Sequence, residues 1–261
     1  VSSTSTVFVN HLKEYSDHVE MMLQMKKSSF VVDIGSNDGT CLKFFRDKGM
    51  RVLGVDPATD IAAIATSNGI ETIDDFFSLN LAKKISNNYG EADLITSHNA
   101  CAHIDDLRGV IQGVESLLKD DGIFVMEVGY FVDVFTNSWF DTIYHEHVDF
   151  HTVAPLEKLF DTYNMELIRV ERISPQGGSI RVFTQKKGGL RPREKSVDEL
   201  IKLEKNLGLN LPQTLKNFET KINKLKEKFL NLILNIKQEG KSIAAFGAPT
   251  KATTLCYHFG I

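Results

Sequence analysis

The densest run of titratable side chains in this 261-residue chain is Thr142-Ile143-Tyr144-His145-Glu146-His147-Val148-Asp149-Phe150-His151. An imidazole with an ordinary pKa of about 6.5 can take and return a proton at neutral pH. A neighbouring Glu can orient the ring and favour its charged form. A Tyr hydroxyl can hydrogen-bond an oxygen on which negative charge develops. Together these types suit removal of a proton α to a carbonyl. Two other readings compete: a surface loop with stray histidines, and a metal site built on His147 and His151, four positions apart. The metal reading lacks support, because Asp149 interrupts the H-E-x-x-H pattern and no Cys/His cluster elsewhere completes a ligand set, so no metal is expected.

A second constellation is Asp33-Ile34-Gly35-Ser36-Asn37-Asp38-Gly39, which breaks an apolar run and opens a helical one. Asp56-Pro57 closes the next β-rich run at the distance where a ribose-hydroxyl acceptor belongs in a nucleotide-binding α/β fold. A pyrophosphate loop needs G-x-G-x-x-G, and here Asn37 holds the middle glycine's place. Asp33 and Asp38 would each repel a phosphate by on the order of 1 kcal/mol at intermediate dielectric. S-adenosylmethionine bears a sulfonium and an ammonium and no phosphate, so it is the expected cofactor. Asp75-Phe76 follows the third strand, where a carboxylate and a ring can address an adenine. Asn99 follows the fourth, at the crevice where open α/β sheets bind ligands. His103 is a candidate substrate contact.

The elements that must position these residues alternate. Apolar runs predict strands at Phe30–Ile34, Arg51–Val55, Ile70–Ile73, Ala92–Ser97 and Gly122–Val128. Helical periods fall at Val7–Met25, Thr40–Lys48, Ala58–Asn68, Leu79–Asn88 and, capped by Asp105, Asp106–Lys119. The alternation implies βαβ units, hence a Rossmann-like α/β fold with a mostly parallel sheet. A helix at Leu156–Tyr163 then precedes Glu166–Ile173 and Ser179–Gln185, joined by a glycine-rich turn and expected to form an antiparallel edge pair. Residues 1–190 are thus expected to form the cofactor-binding domain. Residues 191–240 are expected to be a helical connector divided at Pro212, and 241–261, with a strand at Ser242–Phe246, the start of a second α/β unit.

Composition sets limits. With 42% hydrophobic and 25% charged residues the chain is an ordinary globular sequence, and a net charge of −4 gives no basic field for nucleic acid. No apolar run reaches the ~18 residues of a membrane helix. Cys41, Cys101 and Cys256 are widely spaced and odd in number, which points to a reducing compartment and a cytoplasmic location.

These residues resemble the S-adenosylmethionine-dependent C-methyltransferases of nucleotide-linked deoxy-keto sugars. The likeness runs through Val32 to Gly39, Asp74-Asp75-Phe76-Phe77, Phe140 to His147, Gly177-Gly178-Ser179-Ile180-Arg181 and Phe246-Gly247-Ala248-Pro249-Thr250-Lys251-Ala252. It implies methylation of a carbon α to a ketone, with His147 as general base and Tyr144 and Glu146 assisting. It also implies that Gly177, Gly178, Arg181 and the C-terminal loop with Lys251 hold a sugar nucleotide. A glycine turn with a lysine nearby is a reasonable diphosphate cradle. That family commonly carries an N-terminal cysteine-ligated zinc module and a complete C-terminal Rossmann-like domain. This sequence has no cysteine cluster and stops one strand–turn–helix into the latter, so it reads as part of a longer chain or as a shorter relative with another acceptor. An O- or N-methyltransferase of small metabolites and a non-catalytic nucleotide-binding module are the alternatives. The acceptor's identity and the oligomeric state are left open by the sequence.

Overall fold

Residues 1–247 and 249–261 are described by a computed structural model. Strand β1 (Phe30–Ile34) is buried along its whole length, as expected of a strand covered on both faces. It pairs in parallel with β2 (Arg51–Val55) on one side and β4 (Ala92–His98) on the other. β3 (Thr72–Ile73) extends the sheet beyond β2, and β5 (Leu118–Gly129) continues it beyond β4. β7 (Ser179–Lys186) runs antiparallel between β5 and the edge strand β6 (Met165–Ile173). The order of the seven strands is β3-β2-β1-β4-β5-β7-β6. This is the expected Rossmann-like α/β architecture.

Helices cover both faces. On one lie α1 (Thr6–Leu23) and α2 (Thr40–Asp47), where Tyr15, Val19, Leu42 and Phe45 meet Val31, Leu94 and Val125. α3 (Thr59–Ser67) adds Ala65 to that core. The other face carries α4 (Leu79–Tyr89), α5 (Leu107–Leu117) and α7 (Val153–Thr162) over a larger cluster that includes Ile85, Val114 and Phe160. Chain order reverses direction at β1, so a crevice opens above the carboxyl ends of β1 and β4, between the Gly35 loop and Asn99. The short α6 (Phe131–Asn137) and a 3-10 turn at Phe140–Thr142 then carry the chain into the Tyr144–His147 segment.

Three expectations change. The cap of α5 is Asp106, whose carboxylate accepts from Gly109 N at 2.9 Å, rather than Asp105. Residues 242–246 form no strand and are exposed, since no sheet strand lies beside them to pair their backbone. Packing of the first domain also continues past residue 190. α8 (Lys195–Asn206) lies on β6 and α7 with Val197 buried in the larger core. α9 (Pro212–Gln238) starts at Pro212, where a missing N–H costs nothing. It packs Phe218 and Ile222 against Phe140 and against Phe259 of α10 (Thr250–Phe259).

Candidate active site

His147 sits where a 3-10 turn, a tight loop and α10 converge. Its Nδ1 lies 2.8 Å from the Thr142 carbonyl. A carbonyl only accepts, so Nδ1 carries the hydrogen and Nε2 is the basic nitrogen. The Tyr144 hydroxyl donates to that Nε2 at 3.1 Å. Burial is the largest influence on His147 and pushes its pKa below the ordinary value. The Thr142 carbonyl raises it, while His103 and Lys251 reinforce the lowering. The free base is therefore the resting form at neutral pH. Tyr144 is pushed upward by burial and then by Glu146, so its hydroxyl keeps its proton.

The ring of His103 lies 5.0 Å from that of His147. His103 Nδ1 donates to the Glu146 carbonyl at 2.7 Å. This pair lines a cleft with Asn99, Trp139, Gln176, Gly178 and Lys251. Lys251 comes from the first turn of α10, beyond Ala248, which lies outside the described residues.

A second cleft opens on the other side of Asn99, His103 and Gln176, which line both. Its floor is the glycine loop. Gly35 (φ +72°) and Asn37 (φ +51°) bend the chain there, and a Cβ on Gly35 would fall 2.4 Å from the Ala100 side chain. Asp56 and Pro57 form the wall after β2, and Phe76 and Phe77 the wall after β3. The Asp56 carboxylate accepts from Asn37 N at 2.9 Å and from Ala58 N at 3.0 Å, which fixes its orientation. Phe76 is 72% exposed, a large apolar ring kept in the open at the cleft.

Several expected site residues are elsewhere. Asp38 does not line the cleft: it accepts from Thr40 N, Thr40 Oγ1 and Ser3 N, and these contacts hold its pKa low despite burial. Ser36 and Gly39 are buried parts of the turn, Gly39 capping α2. Asp75 is exposed and accepts from the next amide, Phe76 N, instead of facing the cleft. Glu146 is exposed and makes no hydrogen bond to His147, so a backbone carbonyl, not this carboxylate, orients the base. Gly177 lies against Trp139 outside the cleft lining. Arg181 is 6% exposed, held by Glu127 at 2.6 Å and Glu171 at 3.0 Å, and is not free for substrate. Asp33 is also behind the loop. Its Oδ1 is buried without a partner, and burial above all raises its pKa to about 7. Sequence reasoning missed Phe8, Trp139 and Gln176 as lining residues. Trp139, the single tryptophan, and Gln176, beside the Gly177-Gly178 pair, carried the available signals.

The arrangement is an open α/β crevice beside an imidazole whose Nδ1 is fixed on a main-chain carbonyl. Residues 9–170 match a methyltransferase-domain family, and the chain belongs to it. Residues 174–261 match the C-methyltransferase C-terminal domain. C-methyltransferase NovU of Streptomyces niveus is 32% identical over 261 residues, which is all of this chain and 62% of that protein. Among solved structures, YcgJ of Bacillus subtilis superposes with a TM-score of 0.54 at 15% identity, over 69% of this chain and all of that one. Magnesium protoporphyrin IX methyltransferase of Synechocystis, solved with S-adenosylmethionine bound, gives 0.51 at 14% identity, over 69% of this chain and 82% of that one. At these identities the structures show a shared fold.

Proposed function

We propose that this chain is the catalytic part of an S-adenosylmethionine-dependent C-methyltransferase whose acceptor is a ketone-bearing small molecule of the sugar-nucleotide class. The observation that carries the reading is that His147, with Nε2 as its basic nitrogen, lines a cleft that shares Asn99, His103 and Gln176 with the glycine-loop cleft. The residues present fit the cofactor. Asp56 stands where a ribose hydroxyl would be held, Phe76 offers a face for a purine, and the orphaned Asp33 oxygen behind the loop favours a cation over a phosphate. When bound, S-adenosylmethionine supplies the electrophilic methyl group.

The protein's part is proton handling and positioning. The Tyr144 hydroxyl first turns from His147 Nε2 to the acceptor's carbonyl oxygen, which frees the Nε2 lone pair to remove the proton from the adjacent carbon, while Nδ1–H remains fixed on Thr142 throughout. Tyr144, protonated at neutral pH, then donates to the enolate oxygen as negative charge develops there. Lys251 adds positive charge at the rim, suited to the phosphates of a sugar nucleotide, and the lowering it imposes on His147 keeps the base unprotonated. The match of 174–261 to a C-methyltransferase domain supports carbon as the acceptor atom, and the relative NovU shares that designation. Lys251, within the stretch matched to that C-terminal domain, is taken here as a substrate contact. Among the described residues no helix is long and apolar enough to cross a membrane, and two of the three free cysteines are buried. The odd number and wide spacing of the cysteines suit a reducing compartment, and a cytoplasmic location is part of this reading.

The test is deuterium exchange into the acceptor in heavy water with S-adenosylhomocysteine present. Wild type should wash deuterium into the carbon α to the ketone, and His147→Asn should lose both exchange and methylation, by about 100-fold or more, while binding S-adenosylhomocysteine normally. Exchange and turnover at wild-type rates in His147→Asn would overturn the assignment.

A further inference from the structure

α1 is amphipathic, yet it presents His11, Tyr15 and His18 to the sheet, one polar stripe at i, i+4 and i+7. Each is tied to the sheet. His11 Nε2 meets Glu127 Oε2 at 2.7 Å, the Tyr15 hydroxyl meets Thr96 Oγ1 at 2.6 Å, and His18 Nε2 meets Glu171 Oε1 at 3.0 Å. Arg181 joins the two carboxylates, donating from Nε to Glu127 and from Nη1 to Glu171. Glu127 also holds His98 Nδ1 at 3.1 Å, and His98 lines the glycine-loop cleft. His11, His98 and Glu127 bring their polar atoms within 4.8 Å of one another. With the second oxygen of Glu127 already on the Arg181 guanidinium, this cluster is a hydrogen-bonded ion-pair seam in which a metal cation would face an arginine.

One turn before His11, Phe8 lines the glycine-loop cleft, its ring stacked 6.0 Å from that of His11. Further upstream, Ser2 N donates to Asn37 Oδ1 and Ser3 N to Asp38 Oδ2, so the segment leading into α1 lies on the glycine loop itself. α1 is thus fixed at one end to the loop and along its length to Glu127 and Glu171, with Phe8 between these anchors. Nothing else in the assigned chemistry uses Phe8, His11 or this seam.

We infer that α1 is a wall of the methyl-donor site, with Phe8 as a donor-binding residue and His11, through Glu127, as the positioning residue that holds Phe8 over the cleft. The inference rests on the cofactor reading above. A ring brought against the donor contributes by removing apolar surface from water. Its placement depends on the bond from His11 to a carboxylate that Arg181 and His98 hold fixed on the sheet, so losing His11 releases the helix while the carboxylate stays paired. Glu127 is 2% exposed and, despite burial, its pKa is held well below the ordinary value, foremost by His98. It therefore remains an anion to which α1 can be anchored.

The experiment is calorimetric titration of the whole chain with S-adenosylhomocysteine, together with steady-state kinetics. Phe8→Ala should weaken binding about tenfold and raise the KM for S-adenosylmethionine with kcat nearly unchanged. His11→Leu should do the same, and His11→Gln, which can still donate to Glu127, should restore most of the affinity. Thermal melts of the four proteins separate a loosened fold from a displaced wall, because the inference requires Phe8→Ala to lose affinity while melting as wild type does. Affinity and KM unaltered in Phe8→Ala and His11→Leu would overturn it. So would a His11→Gln variant as impaired as His11→Leu. Failure of wild type to bind S-adenosylhomocysteine at all would instead sink the cofactor reading, so the two failures are distinguishable.

Discussion

Asp33 occupies the one polar position in a strand otherwise made of Phe, Val and Ile, and its Oδ1 has no partner. Burial raises its pKa from 3.8 to about 7, with Asp56 and Glu127 adding to the rise and His98 opposing it. A folded-state value above the unfolded one means that the native protein binds this proton more tightly. Stability is then unpenalised below pH 4, falls as pH rises from about 4 to 7, and stays at its reduced level above that. At about 1.4 kcal/mol per pH unit of that rise, ionised Asp33 costs the fold about 4 kcal/mol at pH 8. Replacing it with Asn removes the ionisation and leaves a group of similar size. Urea unfolding of wild type and Asp33→Asn across pH 4 to 8 should show the variant gaining relative stability through that interval, most of it by pH 7. Binding of S-adenosylhomocysteine, whose ammonium end would favour the carboxylate, should release protons near pH 7 in wild type only. A stability difference that does not vary with pH would refute the reasoning, because any packing defect of Asn contributes a constant offset.

Two further outcomes test the site. Lys251→Met removes a positive charge that lowers the His147 pKa, so the acid limb of the kcat/KM profile should move to higher pH; an unmoved limb would mean that Lys251 does not act on the base. Gly35→Ala puts a Cβ 2.4 Å from the Ala100 side chain at a φ of +72°, and should cost about 1–3 kcal/mol of stability with loss of S-adenosylhomocysteine binding, measured by melts and calorimetry.

Legibility in the sequence followed the locality of the cause. β1 and β2 coincide with their apolar runs because loops bound those runs on both sides. Pro212 marked the start of α9 because its effect on the backbone is intrinsic. α7, by contrast, starts at Val153 and not at Leu156. The Glu204 carboxylate reaches from α8 to accept the Val153 and Ala154 amides at 2.6 and 3.0 Å, a partner that residue spacing does not reveal. The same holds within the site. Tyr144 and His147 could be singled out by type, but the acceptor that sets the imidazole tautomer is a main-chain carbonyl, which any residue supplies. Asp38 and Arg181 had suitable charges, yet local capping and a buried ion pair claimed them, and only the fold decides such competition.

The position of Lys251 separates two boundaries that are usually drawn together. Among the described residues, the two cores on the seven-stranded sheet contain no residue of α10, but the imidazole would lose with that helix a neighbouring cation and one side of its enclosure. A fragment cut after the connecting helices would keep the sheet's cores, lose Phe259 from beside Phe140 and shift the proton affinity of His147 upward, so an intact sheet would be no guarantee of a competent base.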